Sequence, residues 1–439
     1  MASTYLQRAE TDPQGNRTTC TISMWVKRTT LGGEDTIFSH YYSSAYYFHI
    51  RFNTNNTMNI EEHTNSSQTI LLTTNRVFRD TSGWYHFCFE IDTTQSTSTD
   101  RIKTWVNGVQ ETSFSSTTYP AEDANLIIDG GSGYTTYIGQ RGGSSLYFNG
   151  LMSHYNYVNG TAYPASTFGE TDSTTGEWKI KTSPSVTYGD KGFFILKDGN
   201  SVTDQSGEGN NFTVGGGTLT NTEDNPSDVF ATMNPLVTDT DMTLINGNNT
   251  QQRTSGSWDY SVSTLGANTG KYYFEGKIGG TGHWILGATD DTDGIGELGN
   301  GSGDTGWRNS GGLKVSNSEV GYGGGITYTS SDVICVAMDK TNNKIYFRKN
   351  GDAWINSGDP TSGATGTGAF DLDNTTDTYF FGICSYITSG TGTWDINFGN
   401  GYFGTTAVSS AGTNASNIGI FEYDVPTGYT ALSTKGLNQ

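Results

Sequence analysis

Residues 333–338 (Val-Ile-Cys-Val-Ala-Met) and 344–347 (Lys-Ile-Tyr-Phe) are two short apolar runs held apart by Asp339, Lys340, Thr341, Asn342 and Asn343. Turn-forming Asp and Asn between runs of β-branched and aromatic residues send the chain back on itself, which is the sequence form of an antiparallel hairpin. A second turn, Asn350–Gly351, follows at once. The 3.6-residue apolar spacing of a helix is missing here and almost everywhere else in the chain. Glycine occurs 59 times and proline only 8 times in 439 residues, with Ser, Thr and Asn filling most of the remaining turns. Such a composition fits either disorder or a β protein with many turns. The 13% aromatic content, with 25 tyrosines, decides for the second, because those residues need a pleated surface to pack on. The expected fold class is all-β, in a chain long enough for two or three domains with cores of their own.

Charge excludes some functions. The formal net charge is −20, and Lys and Arg do not cluster, so no phosphate-binding surface is expected and nucleic acid is not an expected partner. No apolar run approaches the roughly 20 residues of a membrane helix, so membrane insertion is not expected. The start, Met-Ala-Ser-Thr-Tyr-Leu, lacks the basic and apolar regions of a secretory signal. Cys20, Cys88, Cys335 and Cys384 are far apart and lie in apolar strand contexts, which reads as four buried thiols rather than disulfides. These features suit a chain made in a reducing cytoplasm that leaves it without an export signal.

Two strand-rich blocks are separated by a segment rich in Gly, Thr, Asn and Asp. In the first, residues 20–27 alternate polar and apolar, and further strands are expected at 46–52, 68–73, 84–91, 102–106 and 134–138. The order Ile22-Ser-Met-Trp-Val-Lys, then Trp84-Tyr-His to Asp92, then Trp105-Val-Asn-Gly, then Tyr137-Ile-Gly to Phe148 and Gly150 resembles laminin-G-like, concanavalin A-like lectin/glucanase domains. In that family a turn of the form Asp-x-Ser-Gly-x-Gly-Asn precedes the first strand seen here. This chain carries it at residues 204–210, after the apolar run 193–196. The resemblance therefore implies a permuted order in which 193–196 closes the same sandwich late, extending the domain to residue 216. In the second block, residues 270–276, 283–287, 333–351 and 394–399 resemble the strands of SPRY (B30.2-type) domains, β-sandwiches that bind partners through loops. The expected organisation is a laminin-G-like sandwich at 1–216, a connector at 217–255, a SPRY-like sandwich at 256–405, and a tail at 406–439 packing on a domain.

Candidate chemistry is sparse. Glu90 and Asp92 share one face of a strand, as glucanase carboxylates do, but the third position of that pattern is Gln95, which is neither acid nor base. The six histidines show no metal-ligand spacing, and neither a nucleophile elbow nor a phosphate-binding loop is present. Asp290, Asp291 and Asp293, with Glu297 nearby, are the candidate oxygen ligands should calcium bind, although they miss the EF-hand template. Trp307, Tyr322, Tyr328 and Trp354 fall in or beside the loops that SPRY domains use, and are the candidate ligand-binding residues. The first block adds the run from His40 to Tyr47, whose tyrosines suit sugar rings or subunit contacts.

Joined in this order, with residues 231–236 (Ala-Thr-Met-Asn-Pro-Leu) and the ending around Tyr429-Thr-Ala-Leu432, the two modules resemble virion structural proteins of marine tailed phages. The resemblance implies a non-enzymatic protein of the virion surface: a fibre, adhesin or head decoration. Its partners would be other virion proteins, copies of itself in a homo-oligomer, and a host-surface glycan. The alternatives are a polysaccharide depolymerase on a glucanase-like sandwich and a cellular lectin or adhesin, which would carry an export signal.

Overall fold

A computed structural model describes residues 3–143, 146–197, 199, 201–237, 241–254, 256–292, 296–315, 317–321, 325–372 and 377–439. Strands dominate, and the helices among the described residues are short 3₁₀ turns. None is long and apolar enough to cross a membrane. The chain divides into two compact units, Met1–Asn221 and Thr222–Gln439, and each is a sandwich of two sheets.

In the first unit an eight-stranded sheet runs in the order Phe114–Thr118, Ser67–Thr74, Met58–Thr64, Tyr46–Phe52, Asp35–Ser43, Thr135–Ile138, Tyr5–Ala9, Thr213–Gly216. The six-stranded sheet runs Phe193–Ile195, Gly150–Asn159, Thr19–Arg28, Tyr85–Asp92, Ile102–Val106, Val109–Glu111. Alternation builds the core between them: Ile22, Met24 and Val26 from one sheet meet Phe48, Ile50, Ile60 and Leu72 from the other. Strands late in the chain complete both sheets. Phe193–Ile195 pairs with Gly150–Asn159, and Thr213–Gly216 pairs with the first strand, Tyr5–Ala9.

The strand Thr19–Arg28 is buried on both faces, because its sheet has a second cover. The hairpin Gly169–Thr171/Trp178–Ile180 lays Trp178 on that side. Its indole N–H donates to His86 Nδ1 at 3.0 Å. Two glycines admit the ring: a Cβ on Gly108 would come within 2.3 Å of it, and one on Gly169 within 2.5 Å.

In the second unit the larger sheet runs Met242–Ile245, Thr250–Arg253, Gly392–Asn397, Lys271–Gly279, Val333–Asp339, Lys344–Lys349, Phe370–Asp371, and Thr430–Ala431 pairs in parallel with Lys271–Gly279. The other sheet runs Asp259–Ala267, Tyr379–Tyr386, His283–Thr289, Thr305–Arg308, Gly312–Val315, Ser318–Gly321. The expected hairpin is present in register, Asp339 opposite Lys344. The segment read as a connector needs correction. Ala231 and Met233 enter the core, and Met242–Ile245 with Thr250–Arg253 form a hairpin extending the larger sheet. Asn246 and Gly247, both at positive φ, supply the turn that polar composition had masked. The tail covers the far face of the larger sheet, where Phe421, Val425 and Tyr429 pack on Tyr273, Cys335 and Tyr346. All four cysteines are free and buried.

Candidate functional site

Tyr42, in the run singled out above, is 56% exposed. A register shift between Tyr41 and Ser43 places it at a bulge, and bulges re-aim side chains. Its ring centroid lies 5.2 Å from Tyr134 and 6.2 Å from Tyr46, so three tyrosines form one patch at an end of the first sandwich. The patch has a stiff base. His40 stacks on Tyr134 at 5.0 Å, with 15° between the rings. Gly130 N–H donates to His40 Nε2 at 3.3 Å, so the ring proton sits on Nδ1 and is donated to Thr136 Oγ1 at 3.0 Å. Thr136 donates in turn to Glu10, 2.6 Å away, which is paired with Arg8. Burial lowers the His40 pKa to about 4, so the imidazole stays neutral and the chain of bonds keeps one direction.

A second cluster adjoins the same strands. Tyr47, His49 and Arg51 alternate with Phe48, Ile50 and Phe52 and so take the opposite side of the sheet. Cross-strand register sets Glu61 opposite His49 and His63 opposite Tyr47. The Glu61 carboxylate accepts from Tyr47 Oη at 3.0 Å, His49 Nε2 at 3.0 Å and His63 Nε2 at 2.9 Å. Burial works against its charge, but the bonds from His49 and Tyr47 and the nearby Arg51 outweigh it and lower the pKa to about 2. The Arg141 guanidinium lies 4.8 Å over Tyr47. The histidine spacing gave no sign of this cluster; a cross-strand pairing of 47–49 with 61–63 was the signal that would have found it. Among the described residues no group of three or more His, Cys, Asp or Glu is placed to hold a metal.

Residues 2–165 match the model of the concanavalin A-like lectin/glucanase superfamily, in its third laminin-G form. The first unit is similar to that superfamily in sequence, and the match holds both clusters. Among solved structures, the SPRY domain of human HERC1 is 20% identical, over 37% of this chain and 96% of that one, with a TM-score of 0.29. Another human SPRY domain is 13% identical over 36% and 94%, with a TM-score of 0.27. The native heptameric SAP-like pentraxin from Limulus polyphemus is 18% identical over 37% and 72%, with a TM-score of 0.26. No curated protein matches.

Two of the four ligand-binding residues expected in the second unit are buried. Trp307 is 0% exposed and Tyr328 1%; their rings meet at 4.8 Å inside the core, and Tyr328 donates to the Trp307 carbonyl at 2.6 Å. Strand Thr305–Arg308 turns Trp307 inward, where it offers no face to a ligand. Trp354 is half-buried under the Arg348 guanidinium and beside Tyr346, in the cluster the tail completes. Tyr322 and Asp293 lie outside the described residues. Of the acidic loop, Asp290 and Asp291 are described without a metal-binding geometry, and Glu297 is paired with Arg308 and Lys314, so its oxygens already have cationic partners.

The enzyme-like features are engaged in structural bonds. Glu90 is bound by Lys103 at 3.4 Å and by the Trp105 indole N–H at 3.3 Å, while Asp92 accepts from Thr94 and Gln95 in a turn. Ser23 Oγ lies 2.9 Å from His86 Nε2, which on distance alone is a serine–histidine dyad. Its direction is wrong. Trp178 can only donate to Nδ1, so His86 carries its proton on Nε2 and donates to Ser23. A serine that accepts from histidine keeps its own proton, and burial lowers the His86 pKa to about 3.

Proposed function

We propose that this chain is a non-enzymatic protein of a tailed-phage virion surface, and that the tyrosine patch of its first sandwich contacts glycan on the host cell. The carrying observation is that patch: Tyr42, Tyr46 and Tyr134 presented together on a base fixed by His40, Thr136 and Glu10. Preorganised tyrosines give contact area with little ordering cost and stack on the C–H faces of sugars. The match to a lectin/glucanase superfamily supports a carbohydrate ligand, and the resemblance to marine phage structural proteins supports the virion setting. The engagement of Glu90 and Asp92, and the reversed Ser23–His86 bond, favour binding over hydrolysis. Other virion subunits and further copies of this chain are the remaining partners in this reading.

The first test is immunogold labelling of intact particles, paired with a glycan array probed by the full chain and by Tyr42→Ala. Label on the particles, with array binding that weakens about tenfold in the variant, is the expected result. Unlabelled particles would remove the virion setting. Binding that ignores Tyr42→Ala would remove the patch, and release of reducing ends from a bound polysaccharide would move the protein to the depolymerases.

A further inference from the structure

The second unit carries an aromatic cleft of its own. It is a shallow, open depression of about 570 Å³ lined by Trp258, His283, Arg308, Ser310, Tyr386 and Thr388. Strand pairing assembles it from distant parts of the chain: His283 stands opposite Tyr386, and Ile285 opposite Arg308. The three rings form an open angle. Trp258 lies 5.5 Å from Tyr386 and 6.0 Å from His283, and His283 lies 5.8 Å from Tyr386, with interplanar angles of 43°, 45° and 61°.

Charge narrows the ligand. Arg308 sits 5.1 Å over the Trp258 ring, and both of its terminal nitrogens are paired: Nη1 donates to Glu319 at 2.9 Å and Nη2 to Glu297, which also holds Lys314 at 3.3 Å, while Nε is buried away from the cleft. Two cations and two carboxylates cancel. An anionic ligand therefore finds no uncompensated charge, and a quaternary ammonium finds the Trp258 face already taken by the Arg308 guanidinium. What remains is the rings of Tyr386 and His283 and the part of Trp258 that Arg308 leaves uncovered, with the hydroxyls of Ser310 and Thr388 beside them. We infer that this cleft is a second ligand site, separate from the tyrosine patch, and that it takes a neutral sugar ring. Stacking on Tyr386 with contact from Trp258 supplies the attraction, and the paired Arg308 walls off the Trp258 face it covers.

Saturation-transfer NMR on the full chain tests this, with methyl α-glucopyranoside, methyl β-galactopyranoside, methyl α-mannopyranoside and N-acetylglucosamine as neutral probes. Sialyllactose and tetramethylammonium are the charged probes. In a Tyr42→Ala background, which silences the tyrosine patch, the expected result is binding of at least one neutral sugar, weakened about tenfold when Trp258→Ala is added. Because Trp258→Ala alters packing, Glu319→Gln gives a second reading. Glu319 lies on the exposed strand Ser318–Gly321, so the fold tolerates the change, and removing one of the carboxylate charges that balance Arg308 should bring sialyllactose into the cleft about threefold more tightly. Binding of none of the neutral sugars would overturn the inference, as would equal binding of tetramethylammonium or no gain in Glu319→Gln. Neutral-sugar binding lost in Tyr42→Ala but kept in Trp258→Ala would assign the sugar to the first unit and overturn it too.

Discussion

The two sandwiches place the aromatic residues that the sequence singled out in opposite ways. In the first, Tyr42, Tyr46 and Tyr134 sit at a strand end and stay in reach of solvent. In the second, the rings expected to bind a partner, Trp307 and Tyr328, are the centre of the core, packed with Trp284, Trp394 and Phe347. A tryptophan on a central position of a paired strand is pulled inward by alternation, whereas a tyrosine at a bulge next to a turn has no sheet above it. Position within the sheet, rather than residue type or nearness to a loop in sequence, decides whether a ring faces solvent or packs.

The sharpest break in that comparison is Trp307→Ala, which should destabilise the second unit by about 3–5 kcal/mol in chemical denaturation, the usual cost of deleting a buried aromatic side chain. A change under about 1 kcal/mol would mean the ring is not core. Glu275→Ala comes next. This fully buried carboxylate accepts from the Glu422 and Tyr423 backbone N–H groups at 2.8 and 2.9 Å and from Tyr273 at 2.9 Å, tying the tail to the sheet. Leaving those donors without an acceptor should cost about 2–3 kcal/mol and expose the tail to protease first; an uncleaved tail would argue against the tie.

Acidity acts on buried groups in both units. Burial raises the Glu275 pKa from 4.5 to about 7. The fold therefore favours the protonated acid, and that contribution is complete below pH 4.5 and lost as pH rises through about 7. Denaturation midpoints measured across this window should fall less in Glu275→Gln than in the native chain. His40 has the reverse sign. Its pKa is lowered from 6.5 to about 4, so its contribution is present above pH 6.5 and lost as pH falls through about 4. Asp129, raised by burial to about 7, opposes it in the stability of the whole unit, so the measurement should be local. Amide exchange of residues 126–134 should speed up near pH 4 beyond its intrinsic rate, and His40→Gln, with no proton to gain, should remove that excess. The smallest effect is Tyr42→Ala, whose cost in stability should stay within about 0.5 kcal/mol. A larger cost would show that the patch is packing after all.

Much of the fold was legible where the signal is local. Alternation at 20–27 lies within the strand Thr19–Arg28, and the Asp/Asn turn at 339–343 joins the strands it was read to join. The hairpin at 242–253 was missed because its polar residues outweighed its Asn246–Gly247 turn, although that dipeptide is among the strongest short-range hairpin signals. The sites were less legible. The run at 40–47 pointed to the tyrosine patch, but Tyr134 joins it from the turn just before a strand that pairs some 95 residues along the chain, Thr135 opposite Tyr41. Glu61 and its histidines, and the cleft of Trp258, His283 and Tyr386, have no motif at all.

By itself the sequence determined the class of the molecule: two-residue alternation, β-branched and aromatic runs, and turn residues at short intervals leave antiparallel sheets as the way to bury this much apolar surface. It also settled that the cysteines lie in apolar strands. The tertiary structure alone decided which rings face water and which carboxylates are buried. Those outcomes depend on strand pairings such as His283 with Tyr386 and His49 with Glu61, and on what covers the second face of each sheet. The reason is physical: periodicity assigns a residue to one of two faces, but only the packing of distant segments makes one face core and the other surface.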